Sequence, residues 1–553
     1  MRRTLTFWVL TSMLVFTYPA TYAQRSNEKL KRTAASPTAQ RGVDTIAADQ
    51  LKSYLSFIAS DEMEGRDTPS RGLDTTAKFI AMNLSRWGFK PAGDNGTFLQ
   101  RIDLMRNRID GGQTRAEFNG RVLTPGTEYL PAGGSGNISG QLVFAGSGWL
   151  IKSKEIDAYK GIDGAGKIAV VFGSPNTPPR GVARNDFGKQ GEDYMNVNDY
   201  ARKVGVVGII YIPDFQYLAN WERNRQRIMD RGTTVVAKFQ TPTSAPLPSI
   251  VVSPEVANAI FVGEKNSATT IFNASYGPTL PPSFALNASK KMSLNLLSRS
   301  ETVPTQNVVG IWEGSDPVLN SEYVAVGAHY DHVGICAPNG PDPICNGADD
   351  DGSGTTALLG MAEALAKAPT RPKRSVLFVW HCGEEKGLWG SRYFTEYPTV
   401  PLDHIVTQLN IDMIGRSKKE GDTNPRNKDL TGPNDVYLIG STMMSTELGE
   451  LVQAVNKSYL KIGYDTRYDD PADPNRFFFR SDHYNYARKG IPIIFFFDGV
   501  HEDYHQPGDS PDKIDYQKME KVTRTVYMTL WEVANRAARV KVDKPLPAQL
   551  STN

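Results

Sequence analysis

The sequence is poor in cysteine, in net charge and in long apolar runs. It has 3 cysteines in 553 residues, and its 62 lysines and arginines against 60 aspartates and glutamates leave a net charge of +2. This near-equal number of positive and negative charges gives no indication of a nucleic-acid partner. Beyond the first residues, no segment is apolar over the roughly 20 residues that a membrane-spanning helix needs. The composition is that of a globular protein long enough for two or three domains.

The N-terminus predicts export. Arg2 and Arg3 precede an apolar run at residues 5–18, and small residues between Ala20 and Ala23 supply a cleavage site. These are the three regions of a secretory signal peptide, with cleavage expected after Ala23. An uncleaved membrane anchor is disfavoured because the apolar run is too short. We therefore expect a secreted or periplasmic protein without stable membrane insertion, with a signal peptide at 1–23 and a linker at 24–42.

The three cysteines fit an exported chain. Cys336 and Cys345 lie in a loop rich in proline and glycine, close enough in sequence to close a small disulfide ring in an oxidising compartment. Cys382 ends an apolar run, so we interpret it as a buried inert thiol rather than a nucleophile. None of the three has the spaced cysteine partners of a structural zinc site.

The first two regions of the chain differ in texture. Residues 43–125 open with apolar positions at helical spacing, which predict two amphipathic helices at 47–59 and 72–87. Short apolar runs punctuated by glycine and proline follow. They predict a separate, mostly β domain at 126–290, with strands at 141–145, 167–172, 206–212 and 248–252 and helices at 196–204 and 254–261. This domain has no histidine, so metal chemistry is not expected there.

The third region alternates strands and helices. Nearly continuous apolar runs predict strands buried on both faces, at 307–312, 323–328, 375–380, 405–411 and 491–497. Helices are predicted at 354–367 and 513–540, and a tail at 541–553. We expect an α/β fold with a doubly wound, mixed and mainly parallel sheet, built from 43–125 and 291–540 around the inserted domain. In such sheets ligands bind at the carboxyl ends of the strands.

Residue types that bind metal ions follow the ends of these strands. They are His329, Asp350, the pair Glu384 and Glu385, Asp412 and His505. One carboxylate can bridge two cations about 3.5–4 Å apart, so the triplet of aspartates at 349–351 indicates a hydrolytic site with two metal ions. Local chemistry does not choose among the three.

Several neighbours have second roles or compete for these positions. Asp331 can accept the other ring N–H of His329 and fix its tautomer, and His332 is the rival of His329 as a ligand. In the acidic pair, one residue can bind metal while the other accepts a proton from water. His501 competes with His505, and Asp509 is a candidate orienting group.

Taken in order, these segments resemble the di-zinc aminopeptidase family that also contains glutamate carboxypeptidase. The motifs that carry the resemblance are Gly327-Ala328-His329-Tyr330-Asp331, Asp349-Asp350-Asp351-Gly352-Ser353-Gly354, Gly383-Glu384-Glu385, Asn410-Ile411-Asp412-Met413-Ile414-Gly415 and Asp503-Tyr504-His505. The middle domain, with residues 200–210, is similar to the protease-associated domain that many of these enzymes carry as an insertion.

The resemblance implies an activity and a role for each residue. Asp350 would bridge two Zn²⁺ ions, joined to Asp351 by a cis peptide. One zinc would also have His329 and Asp412, and the other Glu385 and His505. Glu384 would be the general base, with Asp331 supporting the catalytic set. The implied function is an exported zinc aminopeptidase acting on peptide substrates.

Three alternatives stay open. One is a carboxypeptidase of the same family, and a second is an acyltransferase like glutaminyl cyclase, which uses one zinc. A third is a receptor-type ectodomain without activity. The presence of every ligand type and of the general base argues against it. The polar segments 416–435 and 464–480 are placed to line the rim of the site and to choose the substrate. Arg480-Ser481-Asp482-His483 resembles a segment that recurs in the family near the site.

Overall fold

The computed structural model describes residues 42–546, apart from 176, 184–185, 241–245, 275–279 and 337–339. The predicted signal peptide, nearly all of the predicted linker and the last residues of the tail lie outside this range, so those predictions stay untested. Among the described residues, no helix has the length and apolarity to cross a membrane.

The chain forms two compact units. One comprises the residues up to Ile102 together with Thr305–Asn553, and the other is Asp103–Pro304. The predicted boundaries at 126 and 290 therefore differ from those of the structure. The difference arises because both crossings lie inside long strands, Leu99–Ile109 and Ser298–Trp312. A change in glycine and proline content, which the sequence shows near 126, does not mark a boundary inside a strand.

Two N-terminal helices pack on the first unit. Ala48–Ile58 buries four residues at a spacing of three or four, which is one helical face. Arg71–Trp87 begins after Ser70, whose hydroxyl accepts the N–H of Leu73, and ends at Gly88 with a φ of 82°. Both helices match the predicted pair within two residues.

The sheet of the first unit confirms the predicted α/β class. In this unit the strand order is Leu99–Ile109, Ser298–Trp312, Ser375–His381, Tyr323–His329, Ile405–Ile411, Ile493–Phe497, Asp435–Ile439 and Gly463–Asp465. The four strands at the centre, Ser375–His381 to Ile493–Phe497, are parallel to one another, and the strands Ser298–Trp312 and Asp435–Ile439 on either side are antiparallel to them. The short strand Lys90–Pro91 pairs with Ser298–Trp312.

The register brings the carboxyl ends of the central strands to one edge of the sheet. His329 lies opposite His381, and Ile411 lies opposite Phe496. Every residue of the strands Ser375–His381 and Ile405–Ile411 is buried, as their continuous apolar runs predict. The residues that follow these ends therefore meet in space.

The remaining helices of the unit are Gly354–Lys367, Trp389–Glu396, Thr446–Ser458, His483–Ala487 and Tyr516–Asn535. The last is shorter than the predicted 513–540. It begins where the Asp515 carboxylate caps it by accepting the N–H of Lys518, and it ends at Asn535. The helix Thr446–Ser458, capped by Ser445, is missing from the sequence-based assignment.

The unit Asp103–Pro304 is mainly β. Its larger sheet has the strand order Arg121–Leu123, Arg115–Phe118, Lys291–Leu296, Gly136–Phe144, Ile168–Phe172, Gly208–Ile212, Ser249–Val252 and Tyr129–Gly133. Separate apolar clusters cover its two faces. Its helices are Val197–Lys203, Phe215–Ala219, Trp221–Arg225, Pro254–Phe261 and Ala268–Ala274. The likeness to a protease-associated domain stays a prediction.

The cysteines are arranged as predicted. Cys336 and Cys345 form a disulfide whose Cα atoms are 5.7 Å apart. Cys382 is free and buried, and burial raises the pKa of its thiol. The bridge closes the loop between the segment of His329 and the triplet of aspartates.

We expect thiol titration to reproduce this pairing. The native protein should show no thiol that reacts with a water-soluble reagent, because the single free cysteine is buried. Denaturation should expose one thiol, and denaturation with a reductant should expose all 3 cysteines. Three thiols in the denatured protein before reduction would contradict the bridge.

Candidate metal centre

Two groups of side chains at the sheet edge could each hold a metal ion. One is His329, Asp350 and Asp412, and the other is His332, Asp350 and Glu385, with the ligand atoms of each group within 4.8 Å of one another. Asp350 belongs to both groups. This is the arrangement of a bridging carboxylate, and it selects the member of the triplet that the family resemblance also selects.

The first group stands on the strand that ends at His329. Its Nε2 atom is 3.2 Å from Asp350 Oδ1 and 3.6 Å from Asp412 Oδ1. The Thr355 hydroxyl donates to the His329 carbonyl oxygen at 2.7 Å, and the His329 N–H donates to Asp351 Oδ2 at 3.2 Å. These hydrogen bonds connect the strand that ends at His329 to the start of the helix Gly354–Lys367.

Two imidazoles approach the carboxylates of the second group. His505 Nε2 is 3.1 Å from both Asp350 Oδ2 and Glu385 Oε2, where the sequence predicts it. His332 Nδ1 is 2.9 Å from Glu385 Oε1 and 3.7 Å from Asp350 Oδ2. Sequence reasoning treats His332 as a rival of His329, whereas the structure places it on the other side of Asp350.

Asp331 supports the site through a different atom than the one predicted. His329 Nδ1 lies 3.1 Å from the backbone carbonyl oxygen of Asp331 and 3.7 Å from its carboxylate. The carboxylate instead accepts the backbone N–H of Glu384 at 3.1 Å. Asp331 therefore fixes the predicted base as well as the imidazole.

The other two aspartates of the triplet hold the backbone. Asp351 Oδ1 accepts the N–H groups of Gly354 at 2.8 Å and Met413 at 3.2 Å. Asp349 Oδ1 accepts the N–H of Gly415 at 2.6 Å. The peptide that joins Asp350 to Asp351 is cis, as the resemblance implies. The triplet is thus one candidate ligand flanked by two structural carboxylates.

His501 and Asp509 belong to this supporting layer. His501 Nε2 lies 3.3 Å from Asp349 Oδ2 and is in neither candidate metal group. The Asp509 carboxylate accepts the backbone N–H groups of Asp349 and Asp350 at 3.0 to 3.1 Å. Sequence reasoning offers Asp509 as the orienting group of His505, but the structure shows that it positions the bridging aspartate.

Arg66 is the functional residue that sequence reasoning missed. It is fully buried, and its guanidinium donates to the carbonyl oxygens of Ile58, Tyr330, Asn346 and Gly347 at 2.7 to 2.9 Å. Burial lowers its pKa to about 10, opposed by the nearby carboxylates, so it stays charged at neutral pH. An arginine in a polar loop gives no signal of this role, because its partners are backbone atoms.

The carboxylates of the site have divergent pKa values. Burial alone would raise the pKa of Asp350, but the imidazoles of His329 and His505 hold it well below its usual range. Burial raises the pKa of Glu384 well above its usual range, and the negative charges of Glu385 and Asp412 raise it further. One carboxylate is therefore held as an anion while another is disposed to carry a proton.

The unpartnered atoms test whether these residues fit a metal. Four buried atoms have no hydrogen bond among the described residues: Glu385 Oε1, Asp350 Oδ2, His332 Nδ1 and His505 Nε2. His332 Nδ1 lies 2.9 Å from Glu385 Oε1 and 3.7 Å from Asp350 Oδ2, and His505 Nε2 lies 3.1 Å from Asp350 Oδ2. Buried polar atoms without partners are costly, and a cation between them would satisfy all four. Imidazole and carboxylate donors suit zinc.

A pocket opens beside the metal-ligand residues. Asp350, Glu384 and Asp412 line one side of it. The rest of its lining is mostly apolar, and consists of Met413, Phe477, Arg480, Phe495, Phe497, Val500 and Tyr504. Phe477 and Arg480 come from the segments that the sequence places at the rim. An apolar side chain can therefore lie next to the carboxylates.

Comparison with known proteins gives a consistent result. Residues 307–530 match the sequence model of Peptidase family M28. A probable leucine aminopeptidase of Arthroderma benhamiae is 28% identical over 226 residues, which are 39% of this chain and 56% of that protein. Aminopeptidase YwaD of Bacillus subtilis is 26% identical over 275 residues, 48% of this chain and 53% of that protein.

A solved structure shares the fold. An aminopeptidase from Aneurinibacillus sp. strain AM-1 superposes with a TM-score of 0.53 and 15% identity, covering 91% of this chain and 98% of that chain. The curated relatives are matched over shorter spans. This chain spans about half of their length, 56% and 53% for the two named above.

Replacing Arg66 with lysine should destabilise the protein. A lysine ammonium is compact and cannot reach four carbonyl oxygens on separate segments. We expect a loss of about 3 kcal/mol in the free energy of unfolding, measured by urea denaturation of chelator-treated protein. Arg71→Lys, an exposed change in the adjacent helix, is the control and should stay within about 0.5 kcal/mol of the wild type. A loss below about 1 kcal/mol for Arg66→Lys would contradict the role.

Proposed function

Residues 307–530 match the model of peptidase family M28, and on that basis we propose that this chain is a two-zinc aminopeptidase of the family that removes apolar residues from the N-termini of peptides. The observation that carries the proposal is the shared position of Asp350 between two ligand groups, with Glu384 next to both. A pair of zinc ions held there would supply Lewis-acid polarisation of the scissile carbonyl and a water of lowered pKa.

Glu384 is the residue suited to move the proton. Its carboxylate lines the pocket together with Asp350 and Asp412, and its pKa is raised by burial and by the neighbouring acids. A base with a raised pKa can take a proton from the attacking water and return it to the leaving amine. Asp331 keeps Glu384 in place through its backbone N–H. Each step thus uses a group that the fold already holds.

The pocket favours an N-terminal residue with an apolar side chain. The three carboxylates in the lining are suited to the ammonium group of a free N-terminus, and the phenylalanine and methionine side chains of the same lining are suited to an apolar side chain. The relatives named as leucine aminopeptidases agree with this preference. Arg480 at the same pocket favours a second candidate, a carboxypeptidase, because a guanidinium can pair with a terminal carboxylate.

We also propose that the protein is exported. The support is the signal-like pattern of residues 1–23 and the pairing of Cys336 with Cys345, which requires an oxidising compartment to persist. Peptides outside the cytoplasm would then be its substrates.

Replacing Glu384 with glutamine should remove activity and keep the metal. The amide has nearly the same shape but cannot accept the proton, so kcat should fall by at least about a thousandfold. Metal analysis of dialysed protein should show the same zinc content as the wild type. Glu450→Gln, on the exposed face of a distant helix, is the matched control and should have wild-type kcat. Full activity of Glu384→Gln would refute the base assignment.

A panel of substrates should separate the two candidate functions. Leucine p-nitroanilide and the free peptide Leu-Gly-Gly should be cleaved, and an N-acetylated copy of the peptide should not, because its N-terminus carries no charge. A substrate with N-terminal lysine or glutamate should have kcat/KM at least about tenfold lower, since its charge would be buried against phenylalanine. Cleavage of the acetylated peptide from its C-terminus would instead favour the carboxypeptidase. A chelator should abolish either activity.

A further inference from the structure

His332 belongs to the second candidate metal group but is absent from the ligand set that the family resemblance implies. The ring is fully buried and lies at the sheet edge, three residues after His329. Neither ring nitrogen has a hydrogen bond among the described residues. A buried imidazole normally satisfies at least one nitrogen, so this ring requires an explanation.

We propose that His332 is a fourth protein ligand of the second metal position, together with Asp350, Glu385 and His505. The inference rests on the proposed two-zinc function and goes beyond it, since it gives the two positions different coordination. The position at His329, Asp350 and Asp412 would have three protein ligands, and the position at His332 would have four.

The distances support a common centre for the four residues. His332 Nδ1 is 2.9 Å from Glu385 Oε1, and His505 Nε2 is 3.1 Å from Glu385 Oε2 and from Asp350 Oδ2. The two rings are edge to face, with centroids 5.6 Å apart. They thus flank the same two carboxylates from different directions, which is how ligands surround an ion.

The surrounding chain is shaped to admit this ring. A Cβ atom on Gly347 would lie 2.4 Å from Cγ of His332, so only glycine leaves room for the imidazole. The backbone N–H of His332 donates to the carbonyl oxygen of Arg66 at 3.2 Å. The ring is therefore held in its position by a close glycine contact on one side and a fixed backbone on the other.

The number of protein ligands decides what each ion can do. Zinc with four protein ligands is typical of structural sites, and zinc with three keeps a position open for water or substrate. The ion near His332 should accordingly bind first and tightly. The ion near His329 should bind more weakly and be the one that faces the substrate, next to Asp412 and the pocket.

Two measurements other than activity test the proposal. The first is the affinity of the full-length, metal-free protein for zinc, measured by competition with a chromophoric chelator. In His332→Asn, the tighter zinc should bind at least about tenfold more weakly, while the weaker zinc changes little. His404→Asn is the matched control, because His404 belongs to neither candidate metal group and its ring Nδ1 lies 2.9 Å from the Ser321 carbonyl oxygen. Its affinities should equal those of the wild type.

The second measurement distinguishes a ligand from a positioning residue. One equivalent of Co²⁺ should give the wild type the intense visible absorption of a four-coordinate ion, and His332→Asn should shift and weaken that absorption. Circular dichroism of the metal-free variants checks that they fold. A weaker affinity with an unchanged spectrum would overturn the ligand assignment in favour of a positioning role for Glu385. Unchanged affinity and spectrum would overturn the proposal entirely.

The same titration keeps this inference separate from the proposed function. If the wild type bound a single zinc, the two-zinc proposal would fail. His332 would still be judged by that ion, since loss of affinity in His332→Asn would support its role as a ligand and an unchanged affinity would refute it.

Discussion

The constraint on which this structure depends is the balance of negative charge at one edge of the sheet. Eight aspartates are buried there, namely Asp331, Asp349, Asp350, Asp351, Asp412, Asp482, Asp498 and Asp509. Anions cannot be moved out of water at this density unless cations or donors compensate them. The way in which each carboxylate is compensated divides the region into an outer layer and an inner layer.

The outer layer is compensated mainly by donors and cationic side chains of the protein itself. Asp498 accepts the backbone N–H of Arg416 at 2.7 Å and lies 3.5 Å from the buried ammonium of Lys518. Asp349 faces His501, and Asp509 accepts two backbone N–H groups. Both layers keep buried atoms without a hydrogen bond, among them Asp349 Oδ2 and Asp498 Oδ1 in the outer layer and Asp350 Oδ2 and Glu385 Oε1 in the inner layer. The inner layer, made of Asp350, Glu385 and the imidazoles, is the one whose residues form the candidate metal groups, and cations held there would compensate its charge.

The sequence predicts the candidate ligand residues better than it predicts the residues that position them. The ligand residues follow buried strands, and the ends of parallel strands meet at one edge, so a list of strand ends is also a list of neighbours. Arg66 and His332 are not predictable in this way. Arg66 acts through four carbonyl oxygens on three segments, and the side of Asp350 on which His332 lies depends on how the chain turns after the strand. Both roles depend on the path of the chain in three dimensions, which the sequence alone does not show.

The boundaries of the inserted unit failed for a related reason. Both boundaries fall inside strands that continue from one unit into the other, so no turn or linker marks residues 103 and 304. The role of Asp331 shows the same limit at atomic scale. The sequence shows that Asp331 lies two residues after His329. It does not show that the carboxylate bonds the N–H of Glu384, which leaves the carbonyl oxygen to face the imidazole.

The long separation between Arg66 and its partners has a consequence for the time at which the centre forms. Arg66 bonds residues up to 281 positions later, and the whole unit Asp103–Pro304 is synthesised between them. His505 emerges later still. A chain that ends before His505 therefore lacks one of the candidate ligands, and contacts this distant in sequence form late because closing the chain between them costs entropy. The metal centre proposed above could therefore be completed only after the chain through His505 has been synthesised.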